Sequence, residues 1–283
     1  MNVVPFHARR VQGPVAIGDD PRRFAQLVLT LAVTNWKLRF FGSALGYLWS
    51  LLRPLLLFGI LYLVFSHVVR IGVEVEKYPV QLLLGIILYT YFSDVTGDAV
   101  ESLVDSESLV RKVSFPRLVI PLSVALTATF TLLLNLVTVA AFLAIAGVEP
   151  RWEWLALPLP IALLAVLATG VGALVAALFV PFRDVRPIWD VVLQGLFYAT
   201  PIFYPIEAVA DRSETVAHVL MANPLAQVVQ AARHLVLGDG AMSPAEASGG
   251  AQWLAVPALL LVGLALLGLA VFRRMAPRIA EEL

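Results

Sequence analysis

The 283-residue chain is 60% hydrophobic and 14% charged, against about 25% charged residues in an average soluble domain. A chain so apolar cannot bury its surface in one globule, so its solvent is lipid; its 20 basic residues balance 20 acidic ones, and that balance points to no nucleic acid. It has no cysteine, which excludes disulfides, thiolate metal sites and thiol nucleophiles.

Residues 1–23 carry Arg9, Arg10, Arg22 and Arg23 without an apolar core. They read as a basic arm left in the cytoplasm, not as a cleavable secretory signal. Residues 24–283 read as one all-α transmembrane domain. Its first element, 24–42, sets Phe24, Leu27, Val28, Leu31, Trp36 and Phe40 beside Lys37 and Arg39. That pattern predicts a helix lying in the inner interface, with Gly42 and Gly46 permitting a bend into the first span. A spanning helix needs about 20 mostly apolar residues. Six segments are predicted to span: 47–69, 80–98, 118–146, 155–180, 188–203 and 253–272. The first carries Arg53-Pro54 near its start, the second Asp94 and Asp98 near its end, and the fifth Asp190.

The connection from Glu101 to Arg117 predicts a short amphipathic helix. Ser102 with Asp105 caps it, Leu103, Leu109, Val110 and Val113 give it an apolar side, and Phe115-Pro116 stops it. That side needs cover, either from this chain's own helix ends or from a groove on a soluble partner. After the fifth span the chain breaks at Thr200-Pro201 and Pro205, then returns with 216–221 and 225–237. Neither piece is long enough to cross, so both are expected to be short re-entrant helices near the outer face. Asp94 and Asp98, four residues apart, share a helix face, and Asp190 sits one turn from Gln194; Arg111, Lys112, Arg183 or Arg186 are the expected partners of these three carboxylates. Aromatic residues Tyr62, Tyr89, Tyr91, Phe92, Phe197, Tyr198, Phe203 and Tyr204 gather toward spans one, two and five. Such residues form interfacial belts in any membrane protein; a lining over which sugar rings slide is the alternative.

Lysine and arginine positions set the orientation. With the N-terminus cytoplasmic, 15 of the 20 basic residues fall inside; Arg70, Lys77, Arg151, Arg212 and Arg233 fall outside. Both termini are therefore expected in the cytoplasm. The chain contains no Gly-Lys pair and hence no phosphate-binding loop ending in Gly-Lys-Ser or Gly-Lys-Thr. It has no His-Glu-x-x-His, and His7, His67, His218 and His234 share no ligand spacing, so no metal site is expected. No Gly-x-Ser-x-Gly nucleophile elbow is present. No catalytic residue and no bound cofactor are expected.

The run from Trp36 to Leu55, WKLRFFGSALGYLWSLLRPL, resembles the opening of ABC-2 type permeases that export cell-surface polysaccharides. Leu109 to Arg117, followed by Ile120-Pro121, is similar to their coupling helix and its exit; Pro181 to Arg186 to their second cytoplasmic loop; Thr200 to Pro205 and Asn223 to Leu225 to the segment before their last span. The likeness runs from residue 24 to 272. It implies a bacterial inner-membrane channel subunit that pairs with a second copy of itself and with two separate nucleotide-binding subunits, where ATP and Mg reside. The implied cargo is a glycan on a polyprenyl diphosphate (O-antigen, teichoic acid, capsule or galactan), passed outward through a channel between the two permeases, with membrane lipid around them. Ser102, Asp105, Ser106, Glu107, Leu109, Val110, Arg111, Lys112, Phe115 and Arg117 would form the coupling helix. Trp36, Lys37, Arg39, Phe40 and Arg53 would form a gate for the lipid diphosphate, since cations at the inner surface attract anionic head groups. Tyr62, Tyr89, Tyr91, Phe197, Tyr198, Phe203 and Tyr204 would line the channel. Competing readings are a drug or small-lipid exporter of the same fold, a polytopic transferase acting on polyprenyl lipids, and a non-catalytic scaffold.

Overall fold

The computed structural model describes residues 20–40, 46–70, 77–108 and 116–277. Leu109, Val110, Arg111, Lys112 and Phe115 of the expected coupling helix lie outside the described residues, as does most of the N-terminal arm. Among the described residues the chain is all-helical. Five helices are long and apolar enough to cross a membrane: Leu48–Val68, Tyr78–Asp105, Val119–Ile145, Trp152–Phe179 and Ala251–Met275. The protein is thus a multi-pass membrane protein.

Helix α1, Pro21–Phe40, starts three residues earlier than its apolar pattern suggests. Asp20 sets that start: its carboxylate accepts from the amides of Arg22 at 2.9 Å and Arg23 at 3.3 Å, and Pro21 fits the first helical position because the missing amide would be orphaned there. Gly46, at φ 46°, leads into α2, Tyr47–Leu63, a conformation that glycine reaches without a Cβ clash. The central element is α3, Tyr78–Asp105, whose residues from Tyr78 to Phe92 are buried almost without interruption. Around it stand α2, α4 (Val119–Ile145), α5 (Pro158–Phe179), α6 (Val185–Ala199) and α9 (Pro224–Leu237). A helix apolar and buried on every side belongs to the middle of a bundle. Helix α2 is the opposite case: Leu56, Ile60 and Leu63 are exposed on one chain, which suits a helix covered by lipid or by another protein.

The last span, α11 (Ala255–Met275), packs on α5 through small residues. A Cβ at Gly268 would stand 1.9 Å from the Gly170 carbonyl oxygen, so the two backbones touch. In lipid, where the hydrophobic effect does not drive helices together, such close backbone contact holds them instead. Between α6 and α11 the chain builds a cap of short helices: α7 (Ile206–Ala210), α8 (Glu214–Met221), α9 and α10 (Pro244–Ala247). Asn223 starts α9, its side-chain oxygen accepting from the Leu225 amide at 3.0 Å. Its amide nitrogen donates to the Thr200 hydroxyl at 3.1 Å. The two breaks that the sequence marks, Thr200-Pro201 and Asn223-Pro224, are therefore fastened to each other.

Two expectations change. The fifth expected span, placed at 188–203, is the 15-residue helix α6. At 1.5 Å per residue it reaches about 22 Å, short of the roughly 30 Å hydrocarbon core, because Thr200-Pro201 ends it. The second span does not stop at Asp98: α3 runs unbroken to Asp105. No residue between Asp98 and Asp105 breaks a helix, and Ser102 caps no separate one; its hydroxyl donates to the Ala99 carbonyl within α3, at 2.7 Å. Leu103 is buried in a cluster with Ala173, Ala176, Ala177 and Phe272, on this chain's own helix ends.

Candidate functional site

A cavity of about 170 Å³ opens where α1, α2, α3 and α4 meet, and Arg39, Phe40, Trp49, Arg53, Thr90, Asp94, Thr131 and Asn135 are among the residues that line it. Each element brings its part for a local reason. Trp36, one turn before Phe40, meets Phe40 edge-on at 5.8 Å and Phe130 of α4 at 6.0 Å. The Thr127 hydroxyl donates to the Ala32 carbonyl at 3.2 Å. Together they hold the C-terminal half of α1 on α4 and turn Arg39 toward α3. Arg53 precedes Pro54 in the first turns of α2 and faces the same cavity. Lys37 lies on the exposed side of α1.

Arg39 donates from Nη2 to Asp98 Oδ2 at 2.5 Å, with the two side chains 36% and 46% exposed. Among the described residues Asp98 thus pairs with Arg39 of α1 and not with the expected Arg183 or Arg186; Arg111 and Lys112 lie outside the described residues. Arg186 instead serves α3 and α6: it donates to the Gly97 carbonyl at 2.9 Å and stands 3.4 Å from Asp190 and 3.8 Å from Glu101. On the cavity wall, the Thr131 hydroxyl and the Asn135 side-chain oxygen are buried and have no hydrogen-bond partner among the described residues. Buried polar groups left so are unusual and mark places where water or a ligand completes the bonding. Of these groups, the Arg39 and Arg53 guanidiniums and the Thr131 hydroxyl can donate to an anion with hydrogen-bonding oxygens, whereas Asp94 opposes one.

On the remaining expected coupling residues, Asp105 ends α3, Ser106 follows as its cap, Glu107 is part-buried, and Arg117 is buried just before α4. The expected channel aromatics separate into groups. Phe197, Tyr198, Phe203 and Tyr204 form a continuous set with ring centroids 5.0 to 5.9 Å apart, which Tyr89 joins through Phe197 at 5.1 Å. Tyr62 stacks on Phe58 elsewhere, at 5.7 Å. Tyr89 and Tyr91 are 7% and 3% exposed; the Tyr89 hydroxyl donates to the Leu193 carbonyl, and Tyr91 shares a hydrogen bond with Thr129. In this chain those two serve as core side chains rather than as a lining, whereas Tyr198 is 59% exposed.

Sequence reasoning missed Arg233, read only as an outside charge. It is buried in α9, with Nε donating to the Gln81 carbonyl at 3.0 Å and Nη2 to the Ile202 carbonyl at 2.7 Å. Burial pulls its guanidinium down to about 10, and Glu207 works against that shift, so it stays charged at neutral pH. Its signal in the sequence is the one arginine of a 14-residue helix whose other polar residues, Gln227, Gln230 and His234, carry no fixed charge, since a buried charge is retained only when paired or bonded.

With this geometry in view, comparison with known proteins is informative. The sequence model of the ABC-2 type transporter family matches residues 26–237. Two Klebsiella pneumoniae proteins, each an O-antigen export system permease protein RfbA, are 29% and 30% identical to this chain, each over 90% of it and 95% of the relative. A Myxococcus xanthus protein of the same description is 28% identical over 73% of this chain and 78% of its own length.

Proposed function

Because the chain belongs to the ABC-2 type transporter family, whose membrane subunits are transport components and not catalysts, we propose that it is the channel subunit of a polysaccharide exporter. In this reading a glycan linked to a polyprenyl diphosphate is moved outward across the bacterial inner membrane. The end-to-end similarity to O-antigen export permeases supports a glycan cargo of that kind. ATP is bound and hydrolysed on two separate partner subunits, and two copies of this chain enclose the path.

The observation that carries the proposal is the cavity that Arg39 of α1 and Arg53 of α2 share. These residues lie on different elements, yet they converge at one end of the bundle. A diphosphate head group there meets two guanidinium groups, each able to donate through a planar fork. The C-terminal end of α3 at Asp105 lies toward that same end, and the stretch of sequence that follows it, Glu107 to Arg117, would dock on the ATPase. Both termini face the cytoplasm, as the basic residues suggest, so the cavity opens inward and takes the lipid head group from the inner leaflet. In this reading the number of crossings is even: the 15-residue α6 does not cross alone, and α8 and α9 re-enter the membrane from outside to complete that crossing and, with Phe197, Tyr198, Phe203 and Tyr204, form the outer gate.

Depletion of this chain in cells tests the proposal. Polyprenyl-diphosphate-linked glycan should accumulate at the inner leaflet while surface polysaccharide falls. Unchanged surface polysaccharide, together with drug-stimulated ATPase activity of the complex, would instead assign the chain to small-molecule export.

A further inference from the structure

Arg39, Arg53 and Asp94 line the cavity, and Asp98 stands beside it on Arg39, so two cations are matched by two carboxylates. Asp98 takes the hydrogen bond that Arg39 would give to an anionic ligand. Asp94 and Asp98 lie four residues apart on α3, hence on one face of the helix. From this we propose that Asp98 is an internal stand-in for the ligand's phosphate, a positioning residue that holds Arg39 against α3 until a diphosphate displaces it. The inference rests on the diphosphate reading given above and deepens it.

Three observations support the exchange. The Arg39–Asp98 pair is partly exposed at the cavity rim, so a charged ligand reaches it without unfolding the wall. An ion pair so placed is weak, because water competes for both groups, and a diphosphate offers more acceptor oxygens than one carboxylate. The Thr131 hydroxyl, buried and without a partner among the described residues, supplies a further donor on the same wall. The consequence is a signal as well as a binding step. Asp98 sits on α3 seven residues before its end at Asp105, about two helical turns, and α3 leads directly into the proposed ATPase-docking segment. Release of Asp98 on loading therefore changes the restraint on the helix that carries that segment.

The test uses the full-length chain with its ATPase partner in lipid nanodiscs and farnesyl diphosphate as probe; inorganic pyrophosphate and farnesol separate the contribution of the head group from that of the tail. Asp98→Asn removes the competing charge and should bind farnesyl diphosphate about fivefold tighter than the unaltered chain, with basal ATPase activity less responsive to the probe. Asp98→Glu keeps the competitor and should retain the original affinity. Arg39→Ala should weaken binding about tenfold. Arg39→Ala with unchanged affinity would overturn the diphosphate reading itself. Weaker binding in Arg39→Ala but no tightening in Asp98→Asn would overturn the stand-in role alone. If Asp98→Asn does not fold, Asp98→Ser decides the matter by the same measurement.

Discussion

Two arginines at different places in the bundle, Arg39 and Arg233, are held in opposite ways. Arg233 is buried, and it donates to two backbone carbonyls, Gln81 in α3 and Ile202 just after α6, at 3.0 and 2.7 Å. Arg39 is about one-third exposed, and among the described residues it is paired with the Asp98 carboxylate at a cavity rim near unsatisfied polar atoms. The first arrangement fastens structure: the guanidinium ties α9 to α3 and to the chain just after Pro201. The second leaves a charge available for exchange. A charge in a membrane protein is therefore informative through the kind of partner it has, and not through its presence alone.

The largest effect on stability should come from Arg233→Ala. It strands the Ile202 carbonyl, removes the side-chain bond to the Gln81 carbonyl and empties a buried site, at a cost of about 3 kcal/mol, read as a lower melting temperature in detergent and less protein in the membrane. Arg233→Lys keeps the charge but cannot serve both carbonyls with a fixed fork, so about 1.5 kcal/mol should be lost. Tyr78→Phe removes the hydroxyl that donates to the Phe203 carbonyl at 2.6 Å and should cost about 1 kcal/mol. Arg39→Ala should be the mildest, below about 1 kcal/mol, yet it alone of these should lower export at unchanged protein level. A loss of stability in Arg39→Ala as large as that in Arg233→Ala would remove the contrast.

Much of this architecture was legible in the sequence, because in lipid an uninterrupted apolar stretch has few alternatives to a spanning helix. Four of the spans, and the short helices before the last one, fall close to where hydropathy and the Thr200-Pro201 and Asn223-Pro224 breaks place them. The end of α3 was less legible: Asp98 and Glu101 look like a boundary by polarity, but helix geometry continues wherever the backbone is unobstructed and the side chains find partners, here Arg39 and Arg186. The cavity was legible only in part. Lys37, Arg39 and Arg53 stand out as cations near the bilayer edge, but the pairing of residue 39 with residue 98 is a tertiary contact that spacing does not encode. The aromatic set shows the same limit. Composition marks Tyr89 and Tyr91 as ring-bearing residues, whereas burial on α3 decides that they are core.

The most direct test of the central claim is export by a chain carrying Arg39→Glu and Arg53→Glu together, measured as surface polysaccharide against inner-leaflet lipid-linked glycan at matched membrane levels of the protein. Surface polysaccharide should fall about tenfold or more while the lipid-linked precursor accumulates. Normal export with both charges reversed would contradict a diphosphate-receiving cavity at this site.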